Sequence, residues 1–191
     1  GAGVGGHCIP VDPYYLIEHA QNKGFEHRFL KLAREINRAM PRYTVERLKQ
    51  ALNEGVGSRE SGVGSERPNT QHPTPNTLRG VRVALLGLAY KRDVGDLRES
   101  PALEIETILR DEGAVVTVFD PYVPERSSVA TLPEALQQAE AVVLATDHTA
   151  FRNLTPDDLS GTPVRVIMDG RNCLDHDAFR AGGYTILGIG R

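Results

Sequence analysis

Cysteine is scarce. Two residues, Cys8 and Cys173, in a chain of 191 exclude a disulfide-dense extracellular scaffold and any four-cysteine zinc site. No metal is expected. So few cysteines fit a reducing cytosol, where a cysteine is either inert or catalytic, and a cytoplasmic location is the expectation. Positive charge is not in excess either: a net charge of −3 argues against a broad nucleic-acid surface. No apolar run approaches the ~20 residues that span a bilayer, so no membrane partner is expected. The start, GAGVGGHCIP, lacks the basic and apolar stretches of a signal peptide. It also lacks an initiating Met, as expected of a fragment or a processed chain. What remains is 40% hydrophobic and 25% charged, ordinary for a globular protein and long enough for one full domain and part of another.

Residues 1–12, GAGVGGHCIPVD, read as a glycine-rich loop. Asp12-Pro13 then reads as an N-cap and first turn, opening a helix from Pro13 to about Asn22 that Gly24 ends. A second helical pattern runs from about Arg28 to Leu52, with Leu32, Ile36, Met40, Tyr43, Leu48 and Leu52 at roughly helical spacing. Pro41 should kink or split it. Residues 53–77 change character: Gly, Ser, Pro, Asn and Thr dominate, and GVGSRES is followed by the near-repeat GVGSERP. This predicts a disordered low-complexity insertion.

From Leu78 onward, apolar runs alternate with helical patterns. Strands are predicted at Val81–Leu86, Ala114–Phe119, Ala141–Ala145, Val164–Met168 and Tyr184–Ile189. Helices are predicted at 101–112, capped by Ser100-Pro101, and at Leu132–Ala139, with a third over Phe151–Leu159 broken at Thr155-Pro156. The pattern predicts a doubly wound, parallel α/β sheet. Ligands bind such sheets at the carboxyl ends of the strands, which directs attention to 87–98, 120–122, 146–148 and 169–172.

Gly1, Gly3 and Gly6 match G-x-G-x-x-G, but no strand precedes them and Cys8 and Pro10 follow, so a dinucleotide turn is not the favoured reading. The loop as a whole is more informative. Glycines let the backbone approach a ligand and present its N–H groups. A cysteine held just ahead of a helix N-terminus favours its thiolate, as a covalent nucleophile requires. Asp12 can be a plain N-cap, a catalytic carboxylate, or both. Asp120 passes for a ribose-binding acid or a turn, His148 for a strand-end hydrogen-bonding group, and Cys173 for an inert thiol.

Taken together, the loop Gly3, Gly5, Gly6, His7, Cys8, Ile9, Asp12, Pro13 resembles the active-site loop of the UDP-glucose/GDP-mannose dehydrogenase family. Two further stretches agree: Gly87-Leu88-Ala89-Tyr90-Lys91 with Asp93, Asp96, Arg98, Ser100 and Pro101, and then Asp169-Gly170-Arg171. The resemblance implies a Rossmann-like UDP-binding domain over 78–191, a central helical dimerisation region over 13–52 and a catalytic cysteine loop over 1–12. It implies NAD as cofactor and a UDP-sugar as substrate, whose C6 alcohol is oxidised twice. Cys8 aligns with the nucleophile that holds the aldehyde as a thiohemiacetal and then a thioester, and Asp12 with a carboxylate that orients water. Gly3, Val4, Gly5, Gly6, Tyr90, Lys91 and Arg171 align with substrate-binding positions. Cys8, Ile9, Pro10, Val11 and Arg98 align with cofactor-binding ones.

His7 before the cysteine is similar to the UDP-N-acetylhexosamine (UDP-GlcNAc, UDP-GalNAc or UDP-ManNAc) 6-dehydrogenases, which feed surface polysaccharides. Members acting on UDP-glucose usually carry Ser there. The resemblance further implies that an N-terminal NAD-binding domain is missing, and this chain alone is expected to be inactive. The alternatives are a non-catalytic sugar-nucleotide-binding module, a UDP-glucose 6-dehydrogenase, and a free α/β domain with a redox-sensing Cys8.

Overall fold

The apolar runs of the second half become five parallel strands. The computed structural model describes residues 1–57 and 77–190. The strands are β1 (Arg82–Leu86), β2 (Val115–Phe119), β3 (Ala141–Leu144), β4 (Val166–Asp169) and β5 (Thr185–Gly188). They form one sheet in the order β2-β1-β3-β4-β5, with every neighbouring pair parallel. A parallel sheet needs both faces covered, and the period-2 alternation of β1 shows how that is met. Val83 and Leu85 point into one apolar layer. Ala84 and Leu86 point into the other.

Helices cover each layer. α1 (Asp12–Asn22) and α2 (Arg28–Gly57) precede the sheet, and α3 (Pro101–Asp111) follows β1. α3 buries Ile105 and Leu109 on the first face beside Val45, Leu48 and Ala51 of α2. The second face is closed by α4 (Leu132–Gln137), α5 (Thr149–Arg152) and α6 (His176–Ala181). These contribute Leu136, Phe151 and Phe179. As expected, α3 is capped by Ser100, which accepts from the Ala102 N–H, with Pro101 in its first turn. The broken helix near 151–159 is α5 followed by a 3-10 turn over Pro156–Leu159. The short α6 was not foreseen. It is one and a half turns long, too short for a helical period to register.

Three expectations are corrected. The helix begins at Asp12, not Pro13, with Val11 as its N-cap, and Asp12 makes no side-chain cap. Pro41 does not split α2, which runs unbroken from Arg28 to Gly57 and takes in residues 53–57. Pro41 instead marks a change of environment, since Pro41, Thr44, Val45 and Leu48 are buried and no residue of 28–40 is. The expected disorder over 58–76 lies outside the described residues.

Candidate functional site

The glycine loop is tied down at three points. Ala2 N–H donates to Gly170 O at 3.1 Å and Gly6 N–H to Arg98 O at 3.0 Å. Between them, Asn37 of α2 clamps Val4: its Oδ1 accepts from Val4 N–H at 2.8 Å and its Nδ2 donates to Val4 O at 3.1 Å. The glycines serve this docking. A Cβ on Gly5 would sit 2.4 Å from Glu99 O and 2.8 Å from the Tyr90 Cβ, and one on Gly6 (φ +97) 2.9 Å from the Tyr90 ring. Both therefore let the loop lie flat on Tyr90 and the 98–101 segment.

Tyr90 and Arg171 meet beneath the loop. Arg171 Nε donates to Ala145 O at 2.8 Å and Nη2 to Tyr90 O at 3.2 Å. Burial, and the nearby Arg92 charge against that of Asp147, holds its guanidinium below the usual arginine range. Arg98 turns its guanidinium onto Asp96, with Nε 3.0 Å from both carboxylate oxygens. The hydrogen bonds and charge of Arg98 hold the Asp96 carboxyl at about 2. Lys91 is exposed and makes no ion pair or hydrogen bond among the described residues. The structure thus brings Gly3, Val4, Gly5, Gly6, Tyr90, Arg98 and Arg171 to one edge, with Lys91 next in the chain to Tyr90.

That edge is the carboxyl end of the sheet, where two buried carboxylates shape the loops. Asp120, after β2, accepts from the N–H groups of Leu88 (2.6 Å), Ala89 (2.9 Å) and Tyr122 (2.8 Å) and lies 3.1 Å from His148 Nε2. The Asp93 N–H donates to His148 Nδ1 at 2.8 Å, so Nε2 is left to donate to Asp120. Burial pushes the Asp120 carboxyl up, but His148 and the three N–H groups outweigh it and hold it below the usual range. All of its capacity is spent on the chain, which leaves nothing for a ribose. Asp169, ending β4, plays the same part. It accepts from Arg171 N–H (3.0 Å) and Leu174 N–H (2.9 Å) and faces His176 Nε2 at 3.2 Å.

The crevice between β1 and β3, where the strand order reverses, is filled by protein. The loop after β1 folds across it: Thr146 Oγ1 donates to Ala89 O, Arg92 pairs with Asp147, and Asp93 accepts from Thr149. Asp93 adopts a left-handed φ of 56° there. The glycine loop lies against this same loop, with Gly6 N–H donating to Arg98 O.

Beyond Gly6 the chain leaves the sheet. Cys8 is exposed, and its carbonyl accepts from the N–H groups of Val11 (3.0 Å) and Asp12 (2.8 Å). This turn places Cys8 and Asp12 in one shallow hollow with Ile9, Pro13, Leu16 and Leu30. A deeper groove of about 540 Å³ adjoins it, lined by Val4, Ile9, Pro10, Val11, Tyr14 and the α2 face bearing Asn37. Cys173, by contrast, is pushed up to about 12 by burial and by Asp169 and Asp147, which fits an unreactive thiol. Sequence reading missed Asn37. The available signal was an Asn inside a helix, where it is a poor former unless its side chain has work elsewhere. Among the described residues, no group of three His, Cys, Asp or Glu side chains is placed to hold a metal ion, and no helix is long and apolar enough to cross a membrane.

Comparison with known proteins now bears on these stretches. Residues 1–39 match the central domain, and residues 84–176 the UDP binding domain, of the UDP-glucose/GDP-mannose dehydrogenase family. The UDP-N-acetyl-D-mannosamine dehydrogenases of Pyrococcus horikoshii and Methanococcus maripaludis are 35% and 30% identical over the whole of this chain. An NDP-N-acetyl-D-galactosaminuronic acid dehydrogenase of Ralstonia solanacearum is 34% identical over 90% of it and 35% of its own length. The solved P. horikoshii UDP-D-ManNAc dehydrogenase superposes on the whole chain with a TM-score of 0.80 at 32% identity. The chain spans about 40% of the length of the P. horikoshii and M. maripaludis relatives. With both domain types matched in order along a chain of the same fold, this protein belongs to the UDP-glucose/GDP-mannose dehydrogenase family.

Proposed function

We propose that this chain is the sugar-nucleotide-binding, thiol-bearing part of an NAD-dependent UDP-N-acetylhexosamine 6-dehydrogenase, which turns a C6 alcohol into a carboxylate for surface polysaccharide. The observation that carries the reading is the docking of the glycine loop, pinned at Ala2 and Gly6 to the sheet edge and at Val4 to α2, which leads directly into the hollow of Cys8 and Asp12. Names of similar proteins that act on N-acetylated sugars, together with His7 before the thiol, support this substrate class over UDP-glucose.

The residues suit the chemistry. Lys91, exposed and unpaired among the described residues, is the free cation for the diphosphate, and the Tyr90–Arg171 contact fixes the edge on which the nucleotide lies. Cys8 Sγ adds to the C6 aldehyde as a thiohemiacetal, so the half-oxidised sugar is not released. Loss of a second hydride leaves a thioester. Asp12, in the same hollow, takes a proton from the water that hydrolyses it, which releases the carboxylate and restores the thiol. The stretch of the groove formed by Val4 and Ile9–Val11 is apolar, which fits the nicotinamide end of the cofactor. NAD+, when bound, would supply a hydride acceptor, and two NAD+ in succession are needed, one for each hydride. The apolar faces of α1 and α2, where Phe29, Leu32 and Ile36 are exposed, suit a homodimer.

Titration calorimetry of the full chain with UDP tests the reading. UDP is expected to bind, and Lys91→Ala to weaken it about tenfold, the scale of one lost charge-assisted hydrogen bond. A folded chain that takes up no UDP refutes the proposal.

A further inference from the structure

Arg34 and Arg38 lie one turn apart on α2, and Tyr14 of α1 holds both. The Arg34 guanidinium stacks on the Tyr14 ring, and Arg38 Nη1 donates to the Tyr14 hydroxyl at 3.4 Å. Like charges at i and i+4 repel, yet no carboxylate lies within ion-pair distance of either among the described residues. Glu99 lines the same groove without pairing to them. Burial and the Arg38 charge hold Arg34 below the usual arginine range. The two cations line the groove that continues, through Ile9, Pro13 and Leu30, into the hollow of Cys8 and Asp12. Arg98, the cation expected to serve the cofactor, is already engaged by Asp96.

We propose that Arg34 and Arg38, organised by Tyr14, form an oxyanion-recognition site beside Cys8 that takes a phosphate or carboxylate of the ligand lying along Ile9–Val11. A planar guanidinium donates a fork of N–H groups matched to such an oxyanion, and stacking on Tyr14 fixes that fork in advance. The identity of the ligand rests on the function proposed above, whereas the site itself rests on the geometry of α1 and α2.

The test is the alkylation rate of Cys8 in the full chain with iodoacetate, an anion, and iodoacetamide, its neutral analogue, read by peptide mass spectrometry. The iodoacetate-to-iodoacetamide rate ratio is expected to fall about threefold or more at low salt in the double variant Arg34→Gln, Arg38→Gln. That difference should shrink at about 0.5 M salt, as screened charges require. The double variant Arg34→Lys, Arg38→Lys keeps the charge and should restore most of the ratio. Cys173, slow in the native fold, reports unfolding in any variant. Inorganic pyrophosphate and acetate are the two competitors. Slowing of iodoacetate by pyrophosphate alone identifies a diphosphate site, and equal slowing by acetate a carboxylate site. An unchanged ratio in the glutamine variant, or no slowing by either anion, overturns the proposal. Neither of those results touches UDP binding at Lys91, so the two readings fail separately.

Discussion

The two halves of α2 belong to one helix and behave oppositely. From Thr44 onward its side chains enter the sheet layer: Leu48 is 0% exposed among Leu85, Ile105 and Met168. Before Pro41 the same helix carries Phe29, 81% exposed, with Leu32 and Ile36 also open. The contrast extends to the whole molecule. In the α/β unit the buried carboxylates Asp120 and Asp169 are saturated by backbone N–H groups and histidines. The helical arm of α1 and early α2 instead leaves apolar side chains exposed and two arginines without a carboxylate partner among the described residues. The glycine loop is pinned to both, to Gly170 and Arg98 of the α/β unit and to Asn37 of α2.

The sharpest way to break this contrast is to damage the self-contained side. Asp120→Ala strands three backbone donors and His148 in a dry site, and should cost about 4 kcal/mol of stability by denaturant titration. Leu48→Ala removes a buried side chain from the α2–sheet layer and should cost about 3 kcal/mol in the same assay. Gly5→Ala forces a Cβ to within 2.4 Å of Glu99 O. It should lift the loop at about 2 kcal/mol and alter the Cys8 alkylation rate while leaving the sheet intact. Phe29→Ala, on the arm, should change stability by no more than about 0.5 kcal/mol. If Phe29→Ala costs as much as Leu48→Ala, the division at Pro41 is wrong.

The two thiols sharpen the comparison with pH. Cys173 titrates at about 12 in the fold against an ordinary 9.0, because burial and two carboxylates disfavour its thiolate. Its contribution to stability is therefore complete below about pH 9 and is lost as pH rises through about 12. At pH 8 an alkylating reagent should mark Cys8 and spare Cys173 until the chain is unfolded.

Much of this was legible in residue order, and what was not has local causes. VRVALL reads as a doubly covered strand and AVVTVF and AVVLA as strands, and all three are strands, to within a residue at their ends. Ser100-Pro101 announced α3 because cap chemistry is local. Pro41 misled because packing of Val45 and Leu48 on the sheet outweighs one lost helical hydrogen bond. Asp12 misled because the Val11 and Asp12 N–H groups turn back onto Cys8, so the helix starts one residue earlier. The Asn37 clamp and the Arg34–Tyr14–Arg38 cluster join residues distant along the chain, which no spacing rule connects. That the glycines also let the loop lie on the chain's own Tyr90 and Glu99 was not visible, because those residues are distant along the chain.

Whether the loop and the sheet edge form one site is read most directly by ligand protection of Cys8. UDP-N-acetylglucosamine or UDP-N-acetylmannosamine, added at concentrations that calorimetry shows to saturate the chain, should slow iodoacetamide alkylation of Cys8 severalfold. Lys91→Ala should shift that protection to higher ligand concentration. Full-speed alkylation of Cys8 in a chain saturated with sugar nucleotide would place the thiol outside the binding site and contradict the account.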